Sequence, residues 1–266
     1  MQKLDMKITS SGSFHITEAY KSVRSNLTFL GSDIKAIVFT SSMQNEGKST
    51  VSWNLAISLA ESGKSVVYID ADMRKSVFMA KHRVKTNPTG LSQFLSGQAS
   101  LEDVIYATEQ KKLFIIPSGP IPPNPSELLS KRYFAEAINT LKEKYDYVII
   151  DAPPIIATTD PAIIASVCDG SVIIVGAKRS SAKMIRECIE QLERTGKPIL
   201  GSILNMVDYK YYSYYGYGKY YGKGRYGYGY GKYYGYGYGY GYGYGSYYGA
   251  KPEKKDDNET AKDKED

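Results

Sequence analysis

Two cysteines, two histidines and a single tryptophan among 266 residues leave little material for several kinds of chemistry. Cys168 and Cys188 stand in no metal-ligand spacing and build no disulfide framework, a pattern that fits a reducing cytoplasm. His15 and His82 leave little scope for a histidine metal centre or a histidine-based triad, and His15 reads as a packing or capping residue near a helix start. No apolar run approaches the ~20 residues of a membrane-spanning helix, and the N-terminus has no secretory pattern, so any membrane role is expected to come through a partner. A strong charge of one sign is also missing. The net charge is +6; residues 205–249 hold five basic groups against one acidic, and residues 250–266 hold five against seven. The body's surplus is therefore only +4, too weak to argue for nucleic acid, and no nucleic-acid partner is expected.

What is present is organised around residues 41–50, SSMQNEGKST. This stretch follows an apolar segment, residues 36–39, and opens a helical pattern at Lys48. Strand, tight loop ending in Gly-Lys-Ser, helix is the context of a phosphate-binding loop. Backbone N–H groups at the helix start bind phosphate oxygens with help from the helix dipole. Lys48 would reach the β- and γ-phosphates of ATP, and the Ser49 hydroxyl would bind Mg²⁺. The usual first glycine of such a loop falls on Ser42, and Asn45, a residue type that tolerates positive φ, takes a position often held by glycine. The expected nucleotide-binding set is Ser42, Asn45, Glu46, Gly47, Lys48, Ser49 and Thr50. On the motif alone, a Gly-Lys-Ser that merely starts a helix stays open.

In chain order, residues 1–12 are polar and read as loose. A helical pattern runs over about residues 16–30, with Ala19, Val23, Leu27 and Leu30 near helical spacing. Glu18, Lys21 and Arg24 share its other face, where spacing alone favours an ordinary solvated surface over a subunit contact. Strands are then expected at residues 35–40, 65–69, 113–116, 147–150, 171–175 and 199–204. Helices are expected at 48–62, 101–107, 126–144 (with Ser126 as N-cap), 161–167 and 182–195. Short apolar strands separated by helices imply an α/β fold: a P-loop NTPase-like, doubly wound, mostly parallel sheet with helices on both faces. Ligands of such sheets bind outside the carboxyl ends of the strands. Asp70, Asp72 and Asp151 fall at that edge. An acid directly after VVYI or YVII needs solvent, a partner or a cation. Helix capping by Asp70 or Asp72 is the plainer alternative.

Composition changes completely after Asp208. Twenty of the 26 tyrosines lie in this tail: Tyr209, Tyr211, Tyr212, Tyr214, Tyr215, Tyr217, Tyr220, Tyr221, Tyr226, Tyr228, Tyr230, Tyr233, Tyr234, Tyr236, Tyr238, Tyr240, Tyr242, Tyr244, Tyr247 and Tyr248. Fourteen of the 25 glycines accompany them, so the segment has rings but no aliphatic core and is expected to be disordered in isolation. Three readings compete: a sticky linker, a stacking platform for nucleic acid, and a bank of phosphate acceptors. A P-loop on the same chain favours the third. The organisation expected is a flexible N-terminus (1–13), a P-loop domain (14–207), the Tyr/Gly tail (208–249) and a charged, disordered C-terminus (250–266).

The combination of SSMQNEGKST, VVYIDADMR, VIIDAPP, GPIPPNPSELL and a C-terminal tyrosine cluster resembles the bacterial protein-tyrosine kinases (BY-kinases) of capsule and exopolysaccharide synthesis. The likeness covers about residues 16–207, and the tail matches in kind. It implies Walker A roles for Lys48 and Ser49, a second Walker-type motif in Asp70 and Asp72, and a Walker B acid in Asp151. Catalysis would then rest on Lys48, Asp70 and Asp72, with Mg²⁺ held by Ser49, Asp72 and Asp151 and with Asn205 near the adenine edge. The stretch EAYKSVRSNL resembles the family's subunit-contact helix. Glu18 and Arg24 are in place, while Lys21 stands where the family has Arg and lacks the planar fork. Gln44 and Asn45 replace the family's frequent Pro-Gly.

The resemblance further implies a split kinase, cytoplasmic and recruited to the inner face of the membrane by a separate adaptor that doubles as chain-length regulator. It implies ring-like homo-oligomers that phosphorylate one another's tails, protein substrates in polysaccharide synthesis, and an opposing tyrosine phosphatase. Two rivals remain: a positioning ATPase of the ParA/MinD type, against which Met43 stands in place of an extra loop lysine, and a non-enzymatic Tyr-Gly interaction protein.

Overall fold

The structure, a computed structural model, describes residues 2–8 and 14–208. Among these, eight strands form one sheet: β1 (Gln2–Lys3), β2 (Ala36–Ser41), β3 (Val66–Asp70), β4 (Tyr106–Ala107), β5 (Leu113–Ile116), β6 (Tyr147–Asp151), β7 (Gly170–Gly176) and β8 (Ile199–Asn205), in the order β1-β4-β5-β3-β6-β2-β7-β8. Every pairing is parallel except β4 with β5. The helices are α1 (Phe14–Phe29), α2 (Lys48–Glu61), α3 (Phe78–Lys81), α4 (Leu91–Leu95), α5 (Pro125–Ser130), α6 (Arg132–Lys144), α7 (Asp160–Val167) and α8 (Ala182–Glu193). No helix among the described residues is long and apolar enough to cross a membrane.

The inner strands β2, β3, β6 and β7 are buried on both faces, and alternation sends successive side chains to opposite layers. Val38, Val67, Ile69, Val148 and Ile150 join one core with α4 to α8. Ile37, Phe39, Val66, Tyr68, Tyr147 and Ile149 join the other with α1, α2 and α3. The fold is thus the doubly wound, mostly parallel sheet that the sequence pattern implies.

Several local expectations are corrected. Residues 2–8, read as loose, are attached to the body. Leu4 and Met6 are each 2% exposed, which removes apolar surface worth about 2 kcal/mol per side chain from water. Leu4 N–H donates to the Ala107 carbonyl and Lys7 N–H to the His82 carbonyl, both at 2.9 Å. Leu4, Met6 and Ile8 alternate with polar residues over a stretch too short to announce this. Residues 101–107 are no helix: a 3₁₀ turn, Glu102–Val104, leads into β4, because Tyr106 and Ala107 find partners in Ile115 and Phe114 across the sheet edge. The helix expected over 126–144 is two helices broken at Lys131, whose ψ of 148° is extended. Asn124, not Ser126, stands at the first cap position. The short helices α3 and α4 escape notice in the sequence because neither completes two turns. The Tyr/Gly tail and the charged C-terminus lie outside the described residues, as do residues 1 and 9–13.

Candidate active site

Parity and strand order build this site. Counting by twos from Val66 and Tyr68, Asp70 falls on the α2 face of β3; counting from Tyr147 and Ile149, Asp151 falls on the same face of β6. β3 and β6 pair in register, with Asp70 opposite Asp151, and β6 pairs with β2, which leads into the loop before α2. Three neighbouring strands therefore deliver two carboxylates and a helix N-terminus to one spot.

Lys48, the first residue of α2, is the hub. Its ammonium lies 3.2 Å from Asp72 Oδ2, 3.7 Å from Asp151 Oδ1 and 3.4 Å from the Ser49 hydroxyl. Burial pulls the Lys48 pKa down, but Asp151, Asp72 and Asp70 outweigh it and hold the ammonium protonated. Burial and the neighbouring Asp151 push Asp70 up to about 7, against the Ser76 hydroxyl, which donates to Asp70, and Lys48. Burial also raises Asp151, opposed chiefly by Lys48. Asp151 Oδ1 is buried with no hydrogen-bond partner, an arrangement that asks for a cation. Among the described residues no group of three or more His, Cys, Asp or Glu forms a metal cage. Mg²⁺ needs none: one or two carboxylates, a hydroxyl and substrate phosphates are its usual donors. The hard oxygens of Ser49, Asp72 and Asp151 fit it.

Above the hub opens a cleft of about 860 Å³ whose lining includes Asn45, Gly47, Lys48, Ser49, Thr50 and Asp72. Asn45 takes a φ of 63° and Gly47 a φ of 89°. At Gly47 a Cβ would also lie 2.2 Å from Asn205 Nδ2, so only glycine serves there. Asp70, Asp151, Ser42 and Glu46 are expected site residues that do not line the cleft; each is at most 2% exposed beneath it. Asn205, expected at the adenine edge, backs the loop: its Nδ2 donates to the Glu46 carbonyl at 2.9 Å, and its neighbour Met206 lines the cleft.

Three connections went unseen in the sequence because their partners are far apart in it. The Glu46 carboxylate turns away from the cleft and accepts from Met43 N–H (2.8 Å), Ser42 Oγ (2.9 Å), Gly176 N–H (2.9 Å) and the Ser180 hydroxyl. Burial raises its pKa, but these donors hold it below the usual carboxylate range. Glu46 thus clips the loop to the end of β7. Glu46→Gln would turn an amide towards these donors. It should lower stability by about 2–4 kcal/mol in urea denaturation and weaken nucleotide binding in parallel; unchanged stability would mean that the clip is dispensable. Second, Arg74 of the DADMR stretch grips fully buried Asp160 with Nε (2.7 Å) and Nη2 (3.0 Å), and Nη2 also reaches Ser126 Oγ at 2.7 Å. Ser126, read as a cap, thus sits in the first turn of α5 and helps hold Arg74. Third, Arg24 does not stand with Glu18 and Lys21. Lys21 pairs with Glu18 on the exposed face (2.8 Å), whereas Arg24 Nη1 donates to the Ser58 carbonyl of α2 at 2.8 Å.

The profile of the AAA domain family (AAA_31) matches residues 34–203. Tyrosine-protein kinase CpsD of Streptococcus agalactiae is 42% identical over 203 residues, spanning 76% of this chain and 89% of its own length. The crystal structure of the chimerical protein CapA2B2 superposes with a TM-score of 0.70 at 34% identity, over 78% of this chain and 94% of that one. The septum site-determining protein MinD of Pyrococcus horikoshii OT3, solved as a complex with Mg-ADP, shares the fold at lower similarity: TM-score 0.56, 27% identity, 64% of this chain and 70% of that one. With an aspartate-ringed lysine at the mouth of its sheet and relatives this similar, the chain belongs to the family of bacterial protein-tyrosine kinases, nucleotide-dependent enzymes that phosphorylate tyrosine on protein.

Proposed function

We propose that this kinase phosphorylates the tyrosines of its own C-terminal tail, one copy acting on another, and thereby regulates the synthesis and chain length of a capsular or extracellular polysaccharide. The observation that carries the reading is where the tail departs. β8 ends at Asn205, which touches the phosphate loop, and Met206 lines the cleft. Twenty tyrosines follow in the sequence from that mouth. An acceptor bank tethered beside a kinase site is present at high effective concentration, for its own site and for that of a bound neighbour.

In this mechanism the loop N–H groups and Lys48 hold the β- and γ-phosphates of ATP. Ser49, Asp72 and Asp151 would hold Mg²⁺, which when bound neutralises phosphate charge. Asp70, buried just beneath the cleft, orients or deprotonates the attacking tyrosine hydroxyl. A carboxyl poised near neutrality suits a general base, and Asp70 already accepts from one hydroxyl, that of Ser76. Lys48 then faces the growing negative charge of the transferring phosphoryl group, so most of the rate comes from positioning and charge neutralisation.

Further parts of the reading are a membrane adaptor that activates the kinase and recruits it to the inner face of the membrane, ring assembly through the Glu18–Lys21 face of α1, protein substrates in polysaccharide synthesis, and a phosphatase that resets the tail. The names of the relatives, CpsD and the CapA2B2 chimera, support the capsule and adaptor connection. The Mg-ADP of the MinD relative supports the nucleotide and metal assignment. That same likeness is the one observation favouring a positioning ATPase.

The test mixes two distinguishable full-length chains, wild type and Lys48→Met, with ATP and Mg²⁺. Phosphotyrosine on the Lys48→Met chain is expected. Label confined to the wild-type chain would refute transfer between copies, and ATP hydrolysis with no phosphotyrosine on either chain would favour the ATPase.

A further inference from the structure

The cations lining the cleft are not equivalent. Arg74 is committed to Asp160, and Arg179 Nη1 to the Asn45 carbonyl at 3.2 Å. Lys75 lines the cleft, but among the described residues its bond towards the site runs from its backbone N–H to Asp72. Lys81 differs. Its ammonium donates to the Thr50 hydroxyl at 2.6 Å; like Lys75 and Arg179 it makes no ion pair among the described residues, but it alone of the three has its side chain tied to the first turn of α2. Thr50 sits in the first turn of α2, where backbone N–H groups lack partners and attract anions.

The position of Lys81 is held from behind. It ends α3, and α3 is pinned to α2 by Phe78, which is 2% exposed and packs edge-on against Trp53 at 4.8 Å and stacks on Tyr68 at 5.2 Å. His82, the next residue, packs its ring tilted by 37° against Phe78 at 4.3 Å and bonds through Nδ1 with the Lys7 carbonyl at 3.1 Å. A lysine on so fixed a turn, facing a helix start and lacking a carboxylate of its own, is placed to meet an anion.

We propose that Lys81 is a phosphate-binding residue of this kinase, a second cation brought to the nucleotide from outside the loop. This rests on the reading of residues 42–50 as the phosphate loop. The two ammonium groups attach at different points: Lys48 to Asp72 and Ser49, Lys81 to Thr50. Lys48 therefore serves the phosphoryl group that moves, and Lys81 the phosphates that stay. An interaction with the phosphates that stay is equal in ground and transition states, so its loss raises KM and leaves kcat nearly unchanged.

The experiment titrates full-length wild type, Lys81→Met, Lys81→Arg and Lys48→Met with Mg-ADP and with adenosine, and measures autophosphorylation against ATP concentration. Lys81→Met should weaken Mg-ADP and raise the ATP KM by about tenfold, the worth of one charge-assisted hydrogen bond. Adenosine affinity, kcat and the thermal midpoint should hold, and Lys81→Arg should recover most of the loss. Mg-ADP affinity in Lys81→Met within about twofold of wild type would overturn the proposal. So would an equal loss for adenosine, or a loss in Lys81→Arg matching that in Lys81→Met with a lowered midpoint, since either marks a structural role. Lys48→Met separates the premise: if it binds Mg-ADP as wild type does, the loop reading itself fails; if it binds weakly while Lys81→Met does not, only the role of Lys81 fails.

Discussion

Lys48→Met should abolish phosphotyrosine, in the cell and in the purified chain supplied with ATP and Mg²⁺, a loss of at least about 10³-fold. The size follows from what the ammonium touches. It is mostly buried, 3.2 Å from Asp72 and 3.7 Å from Asp151, and Asp70 also acts on it. Methionine keeps the stem and deletes the charge. Three carboxylates then face one another with no compensating cation, so anionic phosphates meet repulsion where they now meet attraction. Asp70 and Asp151, both already held above the ordinary carboxylate value by burial, can relieve this by taking up protons, and the chain should therefore stay folded at neutral pH, which circular dichroism checks. A folded Lys48→Met chain that still labels its own tyrosines, with no wild-type chain present, would falsify the assignment of this site.

Asp70→Asn should lower kcat by about 10²–10⁴-fold, the usual worth of a positioned general base, with a small change in nucleotide affinity. It should also alter stability with a definite sign. Asp70 is pushed up to about 7 in the folded chain from an ordinary value of 3.8. Folding thus favours its protonated form. That contribution is fully present below the unfolded value and is lost as pH rises through about 7. Asparagine remains neutral throughout. In the metal-free, unliganded chain the two proteins should melt alike near pH 4, and Asp70→Asn should be the more stable at pH 8, by on the order of 3 kcal/mol. Equal midpoints at both pH values would show that Asp70 is not a strained, buried carboxylate. Unchanged kcat would remove it from the chemistry.

Both predictions rest on residues visible in the sequence, because the signals that mark them are local. Gly47, Lys48 and Ser49 stand at a strand-to-helix junction, and Asp70 and Asp151 each end an apolar run too short and too β-branched to be anything but a buried strand. Burying an acid at such a place is costly enough that its presence alone suggests a cation nearby. The same local logic failed where partners are remote or elements are short. Leu4 and Met6 look like stray apolar residues in a polar leader, yet both are buried. Ser126 looks like a helix cap, yet its hydroxyl belongs to Arg74 and Asp160. Arg24 shares a helical face with Lys21 by spacing, and its long side chain reaches Ser58 of α2 instead.

Strand and helix periodicity, the phosphate loop, the candidate acids and the tyrosine bank could all be read from the linear chain, since each depends on residues within a few positions of one another. Folding alone settled the order β3-β6-β2, which sets Asp70 beside Asp151 and both beneath Lys48. It alone turned Glu46 away from the cleft and towards Gly176 and Ser180, and brought Lys81 to Thr50. These last three contacts join residues 130, 134 and 31 positions apart. No local propensity encodes such pairings; they exist because the sheet must bury both faces, and the strand order and helix arrangement that achieve this bring distant residues together.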